Sequence, residues 1–133
     1  MTSKLKKILA EISSGELLDK LSILEIKLDK INDISRRDEV NKEYIILKEV
    51  KKTHINVDDK INSLFSEIKK INLILWNIED QIRIFEKEKN FGDEFIKLAR
   101  AVYFNNDKRA KIKSEINKYL GSNINEIKQY TNY

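Results

Sequence analysis

The sequence predicts an all-α protein, an elongated bundle of four main helices built on a long antiparallel helical hairpin, and three observations carry that expectation. The first is a seam. Val57, Ile61, Leu64, Ile68, Ile71, Leu75, Ile78, Ile82 and Phe85 alternate steps of four and three, the spacing of a helix that packs along its whole length. The second is composition. The 133 residues include no proline and only three glycines, with 41% hydrophobic and 36% charged, which suits a helical domain with a core and not a sheet protein with its many turns. The third is length. At about 1.5 Å per residue a helix over residues 58–89 spans roughly 48 Å, against a radius of gyration of about 14 Å for a compact globule of this size. One helical domain over residues 1–133 follows, with helices at about 14–32, 36–52, 58–89 and 93–120 and a tail at 122–133.

Residues 4–12 fit two patterns: Leu5, Ile8, Leu9 and Ile12 make a helical face, while Ile8, Ala10 and Ile12 alternate as an extended piece does. Ser13-Ser14-Gly15-Glu16 has the spacing of a capping box, with Glu16 able to reach back to the Ser13 amide, and starts the first helix. Leu17, Leu21, Leu24, Leu28 and Ile31 mark its main face and Ile23 and Ile26 lie opposite, so this helix is apolar nearly all round and central. Asn32-Asp33-Ile34-Ser35 ends it. A more exposed second helix follows, with Val40, Tyr44 and Leu47 inward and Ile45 and Val50 as further candidates for that face. The connector Thr53-His54-Ile55-Asn56 then holds the single histidine, a loop residue without partners and without a role. Asn56 or Asp58 caps the long helix. At Asn90-Phe91-Gly92-Asp93 the glycine supplies a reversal and Asp93 the next N-cap, and so short a link forces an antiparallel hairpin. The last helix places Phe95, Leu98, Ala99, Val102, Ile112, Ile116 and Leu120 inward and stops at Gly121; one long helix is expected, with a kink or a new start capped by Asn105-Asn106-Asp107 as the alternative. Ile124, Ile127 and Tyr130 of the tail are spaced to pack back on the bundle.

Several function classes are excluded. The chain has no cysteine, which argues against a disulfide-stapled secreted domain or a thiolate metal site and for a cytosolic setting. No apolar run approaches the roughly 18 residues of a membrane span, and the basic start (Lys4, Lys6, Lys7) lacks the hydrophobic stretch of a signal peptide. As an amphipathic segment with Leu5, Ile8 and Leu9 it is too short to anchor well, so no membrane partner is expected. The net charge is +4, with 26 basic residues interleaved among 22 acidic ones, the pattern of a solvated helix surface and not of a nucleic-acid footprint. Glu16 and Asp19 form one acidic pair three apart, where helical magnesium-dependent pyrophosphohydrolases need two. A di-iron bundle needs Glu-x-x-His twice, which one histidine rules out. There is no glycine-rich phosphate loop, nucleophile elbow or Cys/His metal spacing, and no cofactor or metal is expected. A helical mutase of the chorismate type, which holds a dicarboxylate among arginines and lysines, stays open in general chemistry without a recognisable motif order.

The informative residues are polar ones at apolar positions. Glu25 interrupts the apolar arc of the first helix; Asn72, Glu79, Arg83 and Glu86 flank the seam of the long helix, with Trp76 and Asp80 nearby; Asn106, Arg109 and Lys113 interrupt the last helix, with Arg100 and Tyr103 alongside. On one reading these side chains form ion pairs that fix register. On the other, Glu25, Glu79, Arg83, Arg100, Tyr103, Asn106, Arg109 and Lys113 line a pocket for an anionic small molecule: a sugar nucleotide, a phosphorylated sugar or a dicarboxylate. Arginine suits that task because its planar fork matches carboxylate and phosphate oxygens, and Glu25, Glu79 and Tyr103 would position a hydroxyl or shuttle a proton. Glu79 and Arg83, an i to i+4 pair, fit the first reading. Arg109 and Lys113, without an acid on their own inward face, fit the second. The hairpin also outreaches the first two helices, and the bare stripe it leaves predicts a homodimer.

Gly15-Glu16-Leu17-Leu18-Asp19-Lys20 with Ile23-Leu24-Glu25-Ile26-Lys27-Leu28, then Leu75-Trp76-Asn77-Ile78-Glu79-Asp80-Gln81-Ile82-Arg83, Phe95-Ile96-Lys97-Leu98-Ala99-Arg100-Ala101-Val102-Tyr103, Asn106-Asp107-Lys108-Arg109-Ala110 and Gly121-Ser122 together resemble segments of a small bacterial all-helical family that is a domain of unknown function. The resemblance spans nearly the whole chain. It implies an association with surface-polysaccharide and glycosyltransferase gene regions, and through it a sugar nucleotide or phosphorylated sugar as ligand, but it assigns chemistry to no residue. The expected function is a non-catalytic helical binding or assembly module, homodimeric, with a small enzyme or sensor of an anionic ligand as the alternative.

Overall fold

In the computed structural model, which describes residues 6–133, short polar side chains decide where three of the four helices begin. Ser13 Oγ accepts from the Glu16 amide at 3.2 Å and opens α1 (Ser14–Lys30). Asp33 accepts from the Arg36 amide at 3.3 Å and opens α2 (Ile34–His54). Asp58 accepts from the Ile61 amide at 2.9 Å and opens α3 (Asp59–Lys87). Each bond satisfies one of the amides that a helix start leaves without an internal partner. The fourth helix, α4 (Asp93–Leu120), starts without a side-chain cap, but Asp93 and Glu94 sit in its first turn, where the helix dipole favours acids. It runs unbroken to Gly121, whose φ of 66° is the left-handed stop that glycine adopts freely.

The helix α1 is the hub. Leu17, Leu18, Leu21, Leu24 and Ile26 are buried on several of its sides, and α1 packs on α2, α3 and α4, whereas the backbone of α2 approaches α1 alone. Gly15 meets Asn117, and Asp19 meets Lys113, so α1 runs antiparallel to α4. The core joins Leu17, Leu18 and Leu21 to Ile55, Ile61, Leu64 and Ile116, with Tyr44, Leu47, Phe65 and Ile112 packed against it. At about 1.5 Å per residue α1 reaches roughly 26 Å and α3 roughly 44 Å. The hairpin of α3 and α4 therefore projects past its cover, and residues 79–112 include none that is buried.

The structure corrects the sequence reading at several junctions. Lys89, with φ 56°, is the left-handed residue of the hairpin link, while Gly92 has an ordinary φ and takes the N-cap position expected of Asp93. The reason lies in the carbonyls at the end of α3: with Lys89 left-handed, the Asn90 amide reaches back to the Phe85 carbonyl at 2.9 Å, the long closing bond of a Schellman-type stop. The first helix ends at Lys30, and α2 begins at Ile34 because Asp33 and not a later residue caps it. His54 belongs to the last turn of α2, still exposed, and Val57 lies outside α3 and is exposed, so the seam begins at Ile61 and Ile55 fills the core beside it. In the tail, Ile127 and Tyr130 face solvent; docking runs instead through Glu126 and Tyr133. Of the amino-terminal segment, Lys4 and Leu5 lie outside the described residues, and Lys6 to Ile12 form no helix, with Ile8 and Leu9 exposed. No helix among the described residues is long and apolar enough to cross a membrane.

A Cβ on Gly15 would lie 2.6 Å from the Lys113 carbonyl oxygen and 2.9 Å from Asn117 Oδ1, and the closer of the two is backbone. Glycine to alanine inside a helix ordinarily stabilises by up to about 1 kcal/mol. Here the expected sign is reversed: Gly15→Ala should lose about 1 to 3 kcal/mol in urea denaturation, the usual cost of overpacking. Gly92→Ala meets only the Asn90 side chain at 3.4 Å and should lose no more than about 1 kcal/mol, the cost of alanine at an N-cap and not of a clash.

Candidate functional site

Polar side chains buried between α1, α3 and α4 form one connected line. Lys113, only 8% exposed, donates to Glu16 and to Glu126 at 2.7 Å each and lies 3.7 Å from Asp19. Asp19, itself buried, accepts from Asn72 Nδ2 at 2.7 Å, and the same nitrogen donates to Ser22 Oγ at 2.8 Å. Ser22 in turn donates to the Asp19 carbonyl at 2.7 Å. With its nitrogen committed to Asp19 and Ser22, Asn72 can present only its oxygen to α4, so the amide orientation is set by its partners. That oxygen accepts from Arg109 Nη1 at 3.1 Å, and Arg109 Nη2 donates to Asn106 Oδ1 at 2.8 Å. No buried side-chain nitrogen or oxygen among the described residues lacks a partner.

The two cations of α4 in this line have different surroundings. Burial pushes the Lys113 ammonium down, but the hydrogen bonds to Glu126 and Glu16 and the charge of Asp19 outweigh it and hold the group above its ordinary value. Three carboxylates face one ammonium, so Lys113 has no capacity left for an external anion. The acidic pair Glu16 and Asp19, spaced for a metal in the sequence, is thus occupied by a lysine, and no cluster of side chains suited to a metal occurs among the described residues. Among the described residues Arg109 has only the neutral oxygens of Asn72 and Asn106 as partners, which use two of the five donors of a guanidinium and hold it in place without cancelling its charge.

Arg109 lines a cleft of about 550 Å³ together with Ile23, Asn72, Leu75, Trp76, Glu79, Asp80, Arg83 and Asn106, a volume in the range of small-molecule sites. Arg83 is paired with the carboxylate of Glu79 on the same helix, at the exposed rim. Of the residues expected at the site, Glu79, Arg83, Asn106 and Arg109 are brought together here. The other four lie elsewhere. Glu25 faces away, accepting from Tyr44 Oη at 3.2 Å and pairing with Lys69 at 2.8 Å between α1, α2 and α3. Arg100 lies over the Phe104 ring at 5.6 Å. Tyr103 is exposed and packs on Phe104 and Tyr133. Lys113 sits under the tail. Sequence reasoning missed Ser22, Asn117 and Glu126 and gave Asp19 no structural part; an acid at i+3 from Glu16 on the inner side of α1 was the available signal for the last.

The first turn of α1 is closed as well. The Ser14 amide donates to Ser122 Oγ at 3.2 Å, that of Gly15 to Asn117 Oδ1 at 2.6 Å and that of Glu16 to Ser13 Oγ, so no free donor is left there for a phosphate. The capping box expected at Ser13 forms by half, because the Glu16 carboxylate goes to Lys113 instead.

A family model described as a family of unknown function, DUF6165, matches residues 8–133. The chain belongs to that family. No curated protein and no solved structure shows a match to this DUF6165 chain. Membership accounts for the resemblance in its helical segments and assigns no chemistry to the cleft.

Two outcomes follow for the paired cations. Lys113→Met leaves Asp19 buried without its cation and should cost about 3 kcal/mol in urea denaturation, the low end for a broken buried pair because Glu16 and Glu126 are partly solvated. Arg109→Met strands no charge but removes the donor to the Asn72 oxygen, which opens onto the cleft, so it should lower stability by only about 1 kcal/mol; a fall as deep as that of Lys113→Met would put Arg109 in the stabilising network. Acid should release the tail. The hydrogen bond from Lys113 holds the Glu126 carboxyl below its ordinary 4.5 against a smaller push from burial. A carboxylate depressed in the folded state contributes stability that is complete above its unfolded pKa and disappears as pH falls through the folded one. The Tyr133 ring, edge-on to Tyr103 and Phe104, should therefore lose its packing shifts in NMR spectra as pH drops below 4.5, and in Glu126→Gln they should already be reduced at neutral pH.

Proposed function

We propose that this chain is a non-catalytic helical assembly module that works in the cytosol as a homodimer, with a second copy seated on the projecting half of the hairpin. The observation that carries this is the lack of any buried residue between 79 and 112. Seam residues Ile82, Phe85, Phe95, Leu98 and Val102 reach only half-burial there, and Ile84, Phe91 and Ile96 are about half exposed. Apolar surface of this kind on a free helix pair favours association. A second copy suits it because acids and bases interleave along the same stretch (Asp80, Arg83, Glu86, Lys87, Lys89, Glu94, Lys97), so two identical surfaces related by a two-fold axis meet without a field of one sign.

A second reading is favoured by Arg109: a held, uncompensated guanidinium lining a cleft supports binding of an anionic small molecule, in a small enzyme or a sensor. Sugar nucleotides and phosphorylated sugars, the ligands that the surface-polysaccharide resemblance implies, and dicarboxylates are the compounds to screen by thermal shift. No stabilisation by any of them or by simpler organic acids would end this reading.

The dimer is tested by light scattering at micromolar concentration, where twice the chain mass of 15.7 kDa is expected. Ile84→Lys and Ile96→Lys should each shift the population to monomer with little loss of helicity. A mass of 15.7 kDa across the whole range for the parent chain would overturn the proposal.

A further inference from the structure

We propose that the cleft beside Arg109 takes a small carboxylate that also carries a hydrogen-bond donor, an ammonium or a hydroxyl, with Arg109 holding the carboxylate and Asp80 receiving the donor. This rests on the ligand-binding reading of the same cleft and narrows its ligand class.

The charges of the wall set the class. Among the described residues four charged side chains line the cleft: Arg83, Arg109, Glu79 and Asp80. Arg83 and Glu79 pair with each other, which removes both from the account of what a ligand must neutralise. One cation and one anion remain. Arg109 has amide oxygens as its only hydrogen-bond partners, and Asp80 has no ion pair and no hydrogen bond among the described residues. A phosphate dianion or a diphosphate would bring two or more negative charges to a wall that offers one free cation and already holds two carboxylates, so like-charge repulsion works against it. A single carboxylate matches the planar fork of Arg109 and the charge it leaves over. A donor on the same ligand turns Asp80 from a repelling neighbour into an acceptor.

The rest of the wall suits the body of such a molecule. Ile23, Leu75 and Trp76 form its apolar part, and an indole offers a flat face to an aliphatic or aromatic side chain. The cation is also positioned in advance. Asn72 is buried and its nitrogen is tied to Asp19 and Ser22, so the oxygen that orients Arg109 does not have to be recruited when ligand arrives.

The test uses the full chain and two matched series that differ in one group: phenylalanine, phenyllactate and phenylpropionate, and alanine, lactate and propionate, beside inorganic phosphate, glucose 1-phosphate and UDP-glucose, all followed by calorimetry at low salt. Within one series, the amino acid or the hydroxy acid should bind at least tenfold more tightly than the analogue lacking both groups, and which of the two does so tells ammonium from hydroxyl. Arg109→Met should abolish binding. Asp80→Asn should erase the preference, weakening the donor-bearing ligand while its bare analogue, freed from a repelling charge, binds as well as before or better, and cooperative melting curves would show both variants folded. Binding of glucose 1-phosphate or UDP-glucose that depends on Arg109, with no carboxylate bound, would overturn the carboxylate class and leave the ligand-binding reading standing. Silence of every compound would overturn both. Affinity for a donor-bearing acid that Asp80→Asn does not alter would remove Asp80 from the site.

Discussion

Everything in this molecule depends on how closely α1 can approach α4. Gly15 has no side chain, and the Lys113 carbonyl occupies the space where one would begin. That approach lets Asn117 reach the Gly15 amide and brings Lys113 within bonding distance of Glu16 and near Asp19. Asp19 then fixes Asn72, and Asn72 aims its oxygen at Arg109. A line of polar contacts through a protein interior is stable only when every member is satisfied. The space of one methyl group at the first turn of α1 is thus joined by a continuous line of polar contacts to the cleft.

Lys113 and Arg109 are four residues apart on one helix and illustrate how environment decides the use of a cation. The ammonium is enclosed by carboxylates from α1 and the tail and serves cohesion. The guanidinium is held by two amides, which orient it and leave its charge available. Lysine tolerates enclosure because its compact charge can be met from several directions, while the planar fork of arginine donates two contacts on one edge and presents another. The same surroundings explain why the first turn of α1 is no anion site: its amides are already spoken for by Ser13, Asn117 and Ser122.

The architecture was legible because it rests on periodicity. Ile61, Leu64, Ile68, Leu75 and Ile78 follow the seam in order and are buried as the spacing requires, and Ser13 and Asp58 cap the helices that their positions announce. The site was half legible. A helical wheel places Asn72 and Arg109 on facing flanks, yet it treats each helix alone, and the partners of Lys113 come from α1 and from the tail. Glu25 entered the candidate set for its intrusion into an apolar arc, but α1 has neighbours on several sides and Glu25 points to a different pair of them. Gly15 looked like a residue of a helix start. Nothing in a single sequence marks the backbone of a second helix passing within contact distance of it.

The contacts that seal the start of α1 join residues 102 and 108 positions apart. The α3–α4 hairpin can close from its short link, and α1 with α2 from theirs, as local events with little entropy to lose. The first turn of α1 has no such local route to completion. During synthesis the first turn of α1 would stay unsealed, with Glu16 and Asp19 away from Lys113, until the segment around Asn117 and Ser122 has left the ribosome. Docking of α4 is then the step that closes the hub, and a pause in translation before it would leave the first turn of α1 open.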